Sequence, residues 1–474
     1  MKNSTVPVAA ALLCAVLSPA IAADDTRVER LEQQLKDVQR QLAGLKRPTP
    51  PDTAAIAALK RDSAEHYAAI RKRMDAQPGT SLAAGRLSLA SADGDFTFAL
   101  RSVVQFDAGY FSQGRNPPGV DLNSGTNFRR AQFGFTGTLW RDWSYNFTYD
   151  FGGNGIEGRG YIYRAYLEYD GLKPVSLRVG AFSPFTSIED ATGGANLALM
   201  ERPTAVSLAR GIAGGSGREA AQIFATGSNY LVSLAITGQK TIDGATFDEQ
   251  QGLVARAAWL ALDRDGIRWL LNADATHVLR LADTAPGIPA NFHLNAGPEL
   301  AVDASSTVDT GALDARHVTE FGLETAVSFG RLFAQGGWFH YDVARRSALP
   351  NPDFQGWYAM ATWSLTGETR PYDPASASFH APVPAAALGQ KGFGAWEAAA
   401  RYSRSNLDYL PGLPAASGGV AGGVQDVWSA GLNWYPNQVI RFMLDYDNIR
   451  VTHTGVPAAD ITADAIGLRS QIAL

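Results

Sequence analysis

The sequence predicts an all-β protein, a 16-stranded antiparallel transmembrane β-barrel, preceded by an N-terminal α-helical coiled coil. Three observations predict this fold. Apolar and polar residues alternate with a period of two from Phe96 to the C-terminus, which indicates strands with two different faces. Short and long connections alternate between these strands, as in outer-membrane barrels. A heptad pattern of apolar residues precedes the strands and indicates helices that wrap around one another.

Residues 1–22 are predicted to form a cleaved secretory signal peptide. Lys2 supplies a positive start, residues 8–17 form an apolar run, and residues 20–22 include small residues suited to cleavage. The run is too short to span about 30 Å of hydrocarbon. The chain's one cysteine, Cys14, lies in this segment, so we expect no disulfide and no cysteine-ligated metal in the mature protein.

Residues 23–77 are predicted to form a coiled coil in the periplasm, and residues 78–95 a linker to the barrel. The apolar seam alternates spacings of three and four residues and consists of Val28, Leu31, Leu35, Val38, Leu42 and Leu45. A lone amphipathic helix resting on the main domain is the alternative interpretation. The narrow and sustained stripe favours self-association.

Residues 96–474 are predicted to form the barrel, with strands long enough for the roughly 9–11 residues that cross a bilayer at a tilt. The predicted strands are 96–111, 128–140, 143–151, 159–170, 175–182, 219–226, 229–238, 251–262, 266–280, 317–329, 331–343, 354–367, 393–405, 424–435, 438–452 and 461–474. One connection on the short-turn side, 368–392, is long and proline-rich. Long connections in compact domains are often functional, and we interpret this one as folding into the lumen.

Alternation alone does not tell whether the apolar face of RDWSYNFTYDF, residues 141–151, contacts a protein core or lipid. From Trp143 to Phe151 every second residue is aromatic, while Ser144, Asn146 and Thr148 lie between them. An apolar face of this kind fits either a protein core or lipid. The sorted short and long connections favour a barrel, so the aromatic residues are predicted on the lipid-facing wall or at a subunit contact.

Several motifs together resemble the phosphate-selective porin O/P family. They are FRRAQFGFTGTLWRDWSYNFTYDF, YRAYLEYDGLKPVSLRVGAFSPF, MERP, LTGETRPYD, GAWEAAARYS and the closing GLRSQIAL. The resemblance covers residues from about 96 to 474. It implies a 16-stranded trimeric barrel that conducts small anions passively. It also implies a third external loop, here 183–218, that folds inward and narrows a pore lined by arginines and lysines.

Seven arginines are candidates for lining the pore or binding anions. The family resemblance implies that four of them line the pore, namely Arg129, Arg130, Arg202 and Arg316. Arg316 stands where relatives carry a lysine. Strand parity predicts that Arg101, Arg130, Arg164 and Arg178 point into the lumen. The sequence also departs from the family pattern. Val103 replaces a first-strand arginine, and Asp190 and Ala195 stand where the third loop is expected to carry lysines.

These residues favour a passive channel for small hydrophilic solutes, with anions such as phosphate preferred. Guanidinium groups stay charged and offer forked donors to phosphate or carboxylate oxygens. The alternative for each arginine is structural pairing with a lumen carboxylate, such as Asp107, Asp150, Glu168 or Glu397. We expect no cofactor, a homotrimer, contact with outer-membrane lipid, and no nucleic-acid partner, because the net charge of −5 becomes −6 after loss of Lys2.

Two other function classes remain open. The coiled coil could make the protein a structural tether in the periplasm. A hydrolase site on the outer wall is the less favoured alternative, because the seven histidines form no HExxH pair and no G-x-S-x-G motif occurs. The sequence therefore predicts no enzyme.

Overall fold

The computed structural model describes residues 29–30, 32–41, 53–75, 78–115, 117, 120–152, 158–244 and 247–474. The chain divides into two compact units, residues 1–75 and 76–474. In the first unit, residues 29–30 and 32–41 are helical, and helix α1 spans Thr53–Asp75. No helix among the described residues is long and apolar enough to cross a membrane.

The predicted signal peptide and most of the heptad seam lie outside the described residues. The two seam residues that are described, Leu35 and Val38, have exposed fractions of 60% and 52%. Apolar side chains this exposed are what a coiled-coil seam presents before its partner helix is added. The coiled coil itself stays a prediction.

Sixteen long strands form the second unit. They are β1 Thr97–Arg115, β2 Gly125–Leu139, β3 Trp143–Asp150, β4 Tyr161–Leu172, β5 Val175–Phe182, β6 Arg218–Thr226, β7 Tyr230–Lys240, β8 Gln251–Arg264, β9 Ile267–Arg280, β10 Ala315–Phe329, β11 Leu332–Arg345, β12 Asp353–Ser364, β13 Ala395–Tyr409, β14 Val420–Tyr435, β15 Ile440–Thr452 and β16 Ile461–Ala473. Each pairs antiparallel with the next, and β16 closes the barrel on β1 with Gly467 opposite Gly109. The predicted 16-stranded antiparallel barrel is confirmed.

The segment predicted as a linker contains two short strands, Gly79–Ser81 and Ser88–Ala90, which pair with each other. The second also pairs with β1, with Ser88 opposite Ala99. The chain's last residues pair with β1 only as far as Ser102, so the start of β1 would otherwise have an unpaired edge. An unpaired edge exposes backbone donors and acceptors, and the short strand satisfies them.

The two faces of the barrel differ in the way that the alternation predicts. On β3, Trp143 and Phe147 are exposed, whereas Asn146, Thr148 and Asp150 are buried in the interior. Large exposed apolar side chains occur on strands throughout the barrel, for example Ile466 on β16. Apolar surface on this scale suits lipid rather than water, so the aromatic face of residues 141–151 belongs to the outer wall.

Three long connections fold into the interior in the part of the chain that the structure describes. Residues 183–217 carry helices α2, Ile188–Thr192, and α3, Thr204–Ala213. Residues 281–314 carry the short pairs Asp283–Ala285 with Ile288–Pro289 and Asn295–Ala296 with Val308–Asp309. Residues 365–394 carry the pair Tyr372–Asp373 with Ser378–Phe379. Short 3₁₀ turns lie at Ala83–Gly85, Ala415–Ser417 and Pro457–Ala459.

The proline-rich connection on the short-turn side folds inward, as the sequence analysis interprets it. Arg256 of β8 donates hydrogen bonds to the carbonyl oxygens of Ser376 and Ala377, both at 2.7 Å. Ala377 and Phe379 are almost completely buried. The bonds satisfy a buried guanidinium and hold the connection against the barrel wall.

Candidate permeation pathway

The loop of residues 183–217 lies against one side of the barrel interior. The amide of Ile188 donates to the carboxylate of Glu324 on β10, and the hydroxyl of Tyr341 on β11 donates to the carbonyl oxygen of Ala205 at 2.6 Å. The apolar face of α3, including Val206 and Ile212, is buried. These contacts hold the loop to β10 and β11, and the cavities that remain are lined mainly by residues of β1–β5 and of the inward connections.

Three adjacent cavities occupy this space, which we call the outer, middle and inner cavities. The outer cavity has a volume of about 250 Å³ and is lined by Tyr161 and Lys240 near the long connections. The middle cavity measures about 340 Å³. The inner cavity measures about 650 Å³ and is lined by Thr138 and Ser144 at the short-turn end, and by the short strands before the barrel.

The cavities follow one another from the long-connection end to the short-turn end. The outer and middle cavities share Arg202, Arg210 and Ser216, which we call the aperture. The middle and inner cavities share Tyr166. Since short turns of outer-membrane barrels face the periplasm, this order marks a candidate route across the barrel.

The lining of this route is positively charged. Five arginines line the middle cavity against two carboxylates, and they are Arg101, Arg164, Arg178, Arg202 and Arg210. The outer cavity has Arg129, Arg202, Arg210 and Lys240 against Glu201. Low-dielectric walls concentrate the field of such charges inside a narrow passage. The outer and middle cavities therefore have a net positive lining.

Asp190 of α2 anchors the aperture. Its carboxylate forms ion pairs with Arg210 and, at 3.5 Å, with Arg202, and Arg210 also donates to the Ser216 hydroxyl at 2.5 Å. Burial alone would raise the pKa of Asp190, but Arg210 and Arg202 outweigh it and hold that pKa at about 2. A depressed carboxyl pKa means that the stabilising charge is lost only as the pH falls towards that value. The ion pairs at the aperture thus persist at neutral pH.

A β-bulge directs both Arg129 and Arg130 inward. Gln105 of β1 lies opposite Arg130, whereas its neighbour Phe106 lies opposite Phe128, so Arg129 is an extra residue in β2. Strict alternation would send one of the two arginines to the lipid, and a bulge re-aims a side chain. Arg129 reaches Glu201 of the loop with two hydrogen bonds of 2.8 and 3.0 Å.

Arg130 is buried beside the loop rather than on the route. It donates to Gln105, and its guanidinium lies against Gly194, where an added Cβ would come within 2.5 Å of the Arg130 Cζ. The glycine therefore permits this close approach. Burial would raise the pKa of Glu201, but Arg129 and Arg469 outweigh it and keep that pKa below its usual range.

A second bulge brings Tyr163 and Arg164 of β4 to the middle cavity. Thr148 of β3 lies opposite Arg164, and Tyr149 lies opposite Ile162, so Tyr163 is the extra residue. Arg164 lies over the Tyr163 ring at 5.3 Å. Within the part of the chain that the structure describes, neither Arg164 nor Arg101 has an ion pair or a hydrogen bond to another protein group. Their donors are free to contact solutes.

The other predicted arginines differ in their environments. Arg178 forms an ion pair with Glu168 on the neighbouring strand and contacts four aromatic rings, which favours a structural role beside the cavity. Arg202 lines the outer and middle cavities. Arg316 is exposed at the long-connection end of β10 and lines none of the three cavities. The structure therefore does not bring Arg316 together with the other six.

Sequence reasoning missed Arg210 and Lys240. A signal existed for Arg210, because Ser207, Arg210 and Gly211 recur at the spacing of one helix face and all three line the outer cavity. Lys240 ends β7 at the long connection, where parity is poorly defined. Among the described residues, no group of three or more His, Cys, Asp or Glu side chains is arranged to hold a metal ion.

Comparisons with known proteins match this chain to a porin family. The model of a family described as phosphate-selective porin O and P matches residues 98–474. Porin O of Pseudomonas aeruginosa is 26% identical over 378 residues, which are 76% of this chain and 85% of that protein. An uncharacterised protein of Caulobacter vibrioides is 25% identical over 359 residues, covering 74% of this chain and 68% of that protein.

Solved porin structures resemble the chain more distantly. An anion-selective porin from Comamonas acidovorans matches with a TM-score of 0.47 and 12% identity, covering 80% of this chain and all of that one. OprB of Pseudomonas putida matches with a TM-score of 0.48 and 10% identity, covering 81% of this chain and 95% of that one.

Proposed function

The chain belongs to the phosphate-selective porin O and P family and is an outer-membrane porin, and we propose that it conducts small anions passively, phosphate among them. Membership of a porin family favours a channel over an enzyme. Support for the preference for anions must come from the residues that line the route. The periplasmic end of the route is then the inner cavity, because it lies at the short turns.

The observation that carries the proposal is the positive lining of the outer and middle cavities. Within the described residues, Arg101 and Arg164 of this lining form no ion pair and no hydrogen bond with another protein group. An ion passes a narrow pore only if its binding is strong enough to admit it and weak enough to release it. Arginines without carboxylate partners attract an anion. The ion pairs of Asp190 at the aperture weaken the field there and favour release.

We expect no strict selectivity for phosphate over other small anions. The family resemblance leads one to expect lysines in the third loop, and this chain has Asp190 and Ala195 there. Asp190 neutralises part of the charge of Arg202 and Arg210. Chloride, phosphate and small organic anions are all expected to permeate.

Ion substitution in planar lipid bilayers tests the anion preference. We expect that replacing chloride with the larger gluconate lowers the conductance of the purified protein several-fold, because gluconate must pass the aperture. Replacing potassium with the larger Tris cation is expected to change it little. A larger loss with Tris than with gluconate would contradict the anion channel. No conductance at all would contradict the channel and favour the periplasmic tether.

We also propose that the barrel assembles as a homotrimer and that residues 23–77 form a coiled coil between subunits in the periplasm. The support for the coiled coil is the heptad seam, of which Leu35 and Val38 are exposed apolar residues in the described helix. Apolar residues that repeat along one stripe are covered when a second helix packs against them.

Cysteine cross-linking tests the coiled coil, since the predicted mature chain has no cysteine. With Leu35→Cys we expect oxidation to give a band of linked subunits on a denaturing gel, because seam side chains of facing helices meet within disulfide reach. Arg40→Cys, on the opposite side of the same helix, is the matched control and is expected to link far less. Equal linking of the two variants, or none, would contradict a seam at Leu35.

A further inference from the structure

We propose that the middle cavity binds organic anions that carry an aromatic ring, with the anionic group on Arg101 and Arg164 and the ring beside Tyr163 and Phe185. The inference rests on the proposed anion channel and names a solute class for it. It follows from three features of the cavity, namely its rings, its free cations and its size.

Part of the wall of the middle cavity is aromatic. Tyr163, Tyr166, Phe182 and Phe185 all line the middle cavity. Phe182 is buried, whereas Tyr163 and Phe185 are partly exposed and so can present surface to a solute. Aromatic pairs are stabilised by offset-stacked or edge-to-face contact beyond the burial of area alone. Water and phosphate gain nothing comparable from a phenyl face.

Some arginines of the middle cavity form ion pairs with carboxylates, and others do not. Arg178 is occupied by Glu168 and surrounded by rings, and Arg202 and Arg210 are paired with Asp190. In the described parts of the chain, Arg101 and Arg164 form no ion pair and no hydrogen bond with protein groups, and Arg164 lies over the Tyr163 ring. Guanidinium groups bind carboxylate and phosphate through charge-assisted hydrogen bonds. The free pair is therefore where the anionic group would bind, and Tyr163 lies next to it.

The volume suits a small organic solute. The middle cavity measures about 340 Å³, near the lower end of the roughly 300–1,000 Å³ of cavities that bind organic ligands. Such cavities combine apolar and aromatic lining with a few polar groups that fix orientation. The outer cavity is smaller and has one ring, Tyr161, beside its charges. Of these two cavities, the middle one is therefore the better fit for a solute that carries a ring.

Phenyl phosphate and methyl phosphate are the probes, because they share a phosphate ester and differ in the ring. Each is added to the full-length protein conducting chloride in a planar bilayer, and the concentration that halves the current is measured. We expect phenyl phosphate to act at a concentration roughly five- to tenfold lower than methyl phosphate. Tyr163→Leu and Phe185→Leu keep apolar volume and remove one ring each, so either variant is expected to reduce this ratio.

Two further variants separate the ring from the charge. Arg164→Gln is expected to raise both half-blocking concentrations by a similar factor, since both probes lose the same cation. Tyr110→Leu, on the exposed outer wall of β1, is the matched control and is expected to leave the ratio unchanged. Folding of every variant is checked by the shift in gel migration on heating.

The outcomes distinguish this inference from the channel proposal. Equal half-blocking concentrations in the wild-type protein would overturn the inference and leave the anion channel intact. A ratio that survives both Tyr163→Leu and Phe185→Leu would place the ring elsewhere and would also overturn it. A cation-preferring current that neither ester blocks would contradict the proposed function, and the inference with it.

Discussion

Replacing Arg469 with alanine is expected to lower the free energy of unfolding of the barrel by about 3–5 kcal/mol. Arg469 lies on the last strand and donates two hydrogen bonds, of 2.7 and 2.6 Å, to Asp107 on the first strand. It also donates to Glu201 at 2.8 Å and to the carbonyl oxygen of Met200. One side chain thus joins the closing seam of the barrel to the inward loop.

The expected loss of stability is large because both partners of the ion pair are buried. The side chains of Arg469 and Asp107 both have an exposed fraction of 0%. Removing one partner of a buried pair leaves the other charge without compensation, which costs more than the pair itself contributes. Glu201 keeps Arg129 as a partner, so most of the loss is expected from Asp107 and from the released loop.

Urea unfolding of the protein in detergent micelles, followed by tryptophan fluorescence, measures this loss. Arg268→Ala is the matched control, because Arg268 pairs with Asp263 at 3.2 Å near a tight turn and both side chains are substantially exposed. An exposed pair contributes about 0–1 kcal/mol. Equal losses in the two variants would show that the seam pair has no special role in closing the barrel.

The double substitution Arg101→Glu and Arg164→Glu is expected to reverse the ion preference of the channel. It leaves three arginines against four carboxylates in the middle cavity, where the wild-type protein has five against two. Since the field in a narrow passage follows the sign of its lining charge, cations would then be favoured. The zero-current potential in a salt gradient should change sign.

Arg316→Glu is the control for this prediction. It makes one arginine-to-glutamate change, half of the total change of charge in the double variant. The family resemblance implies this residue for the pore, but it lines none of the three cavities. Exposed charges are screened within about 8 Å at physiological salt, so the zero-current potential is expected to stay the same. An effect of Arg316→Glu as large as that of the double variant would contradict the location of the route.

The barrel was predictable because its signals repeat along the chain. Period-two alternation and the alternation of short and long connections each occur many times. An error at one strand boundary therefore does not change the predicted fold. The short strand Ser88–Ala90 was not predictable, because its reason for forming is the unpaired edge of β1 beside the chain's last residues. That edge exists only once the barrel has closed.

The candidate site was predictable in part. Strand parity alone predicts that Arg101 and Arg178 face the interior. It assigns one residue of Arg129–Arg130 to the wrong face, because nothing in the sequence indicates the bulge opposite Gln105. The ion-pair partners of the interior arginines were still harder to predict from the sequence. Arg401 has Glu299 of an inward connection as its partner, and Glu397 is taken by Arg370. Such choices depend on how the connections fold inside the barrel.

The zero-current potential of the wild-type protein across a tenfold gradient of potassium chloride tests the central claim most directly. A fully selective channel for a single charge would reach about 59 mV. The positively lined route predicts a potential of roughly 20–50 mV with the sign set by chloride, below that limit because Asp190 offsets part of the charge at the aperture. A potential near zero, or one with the sign set by potassium, would contradict the claim.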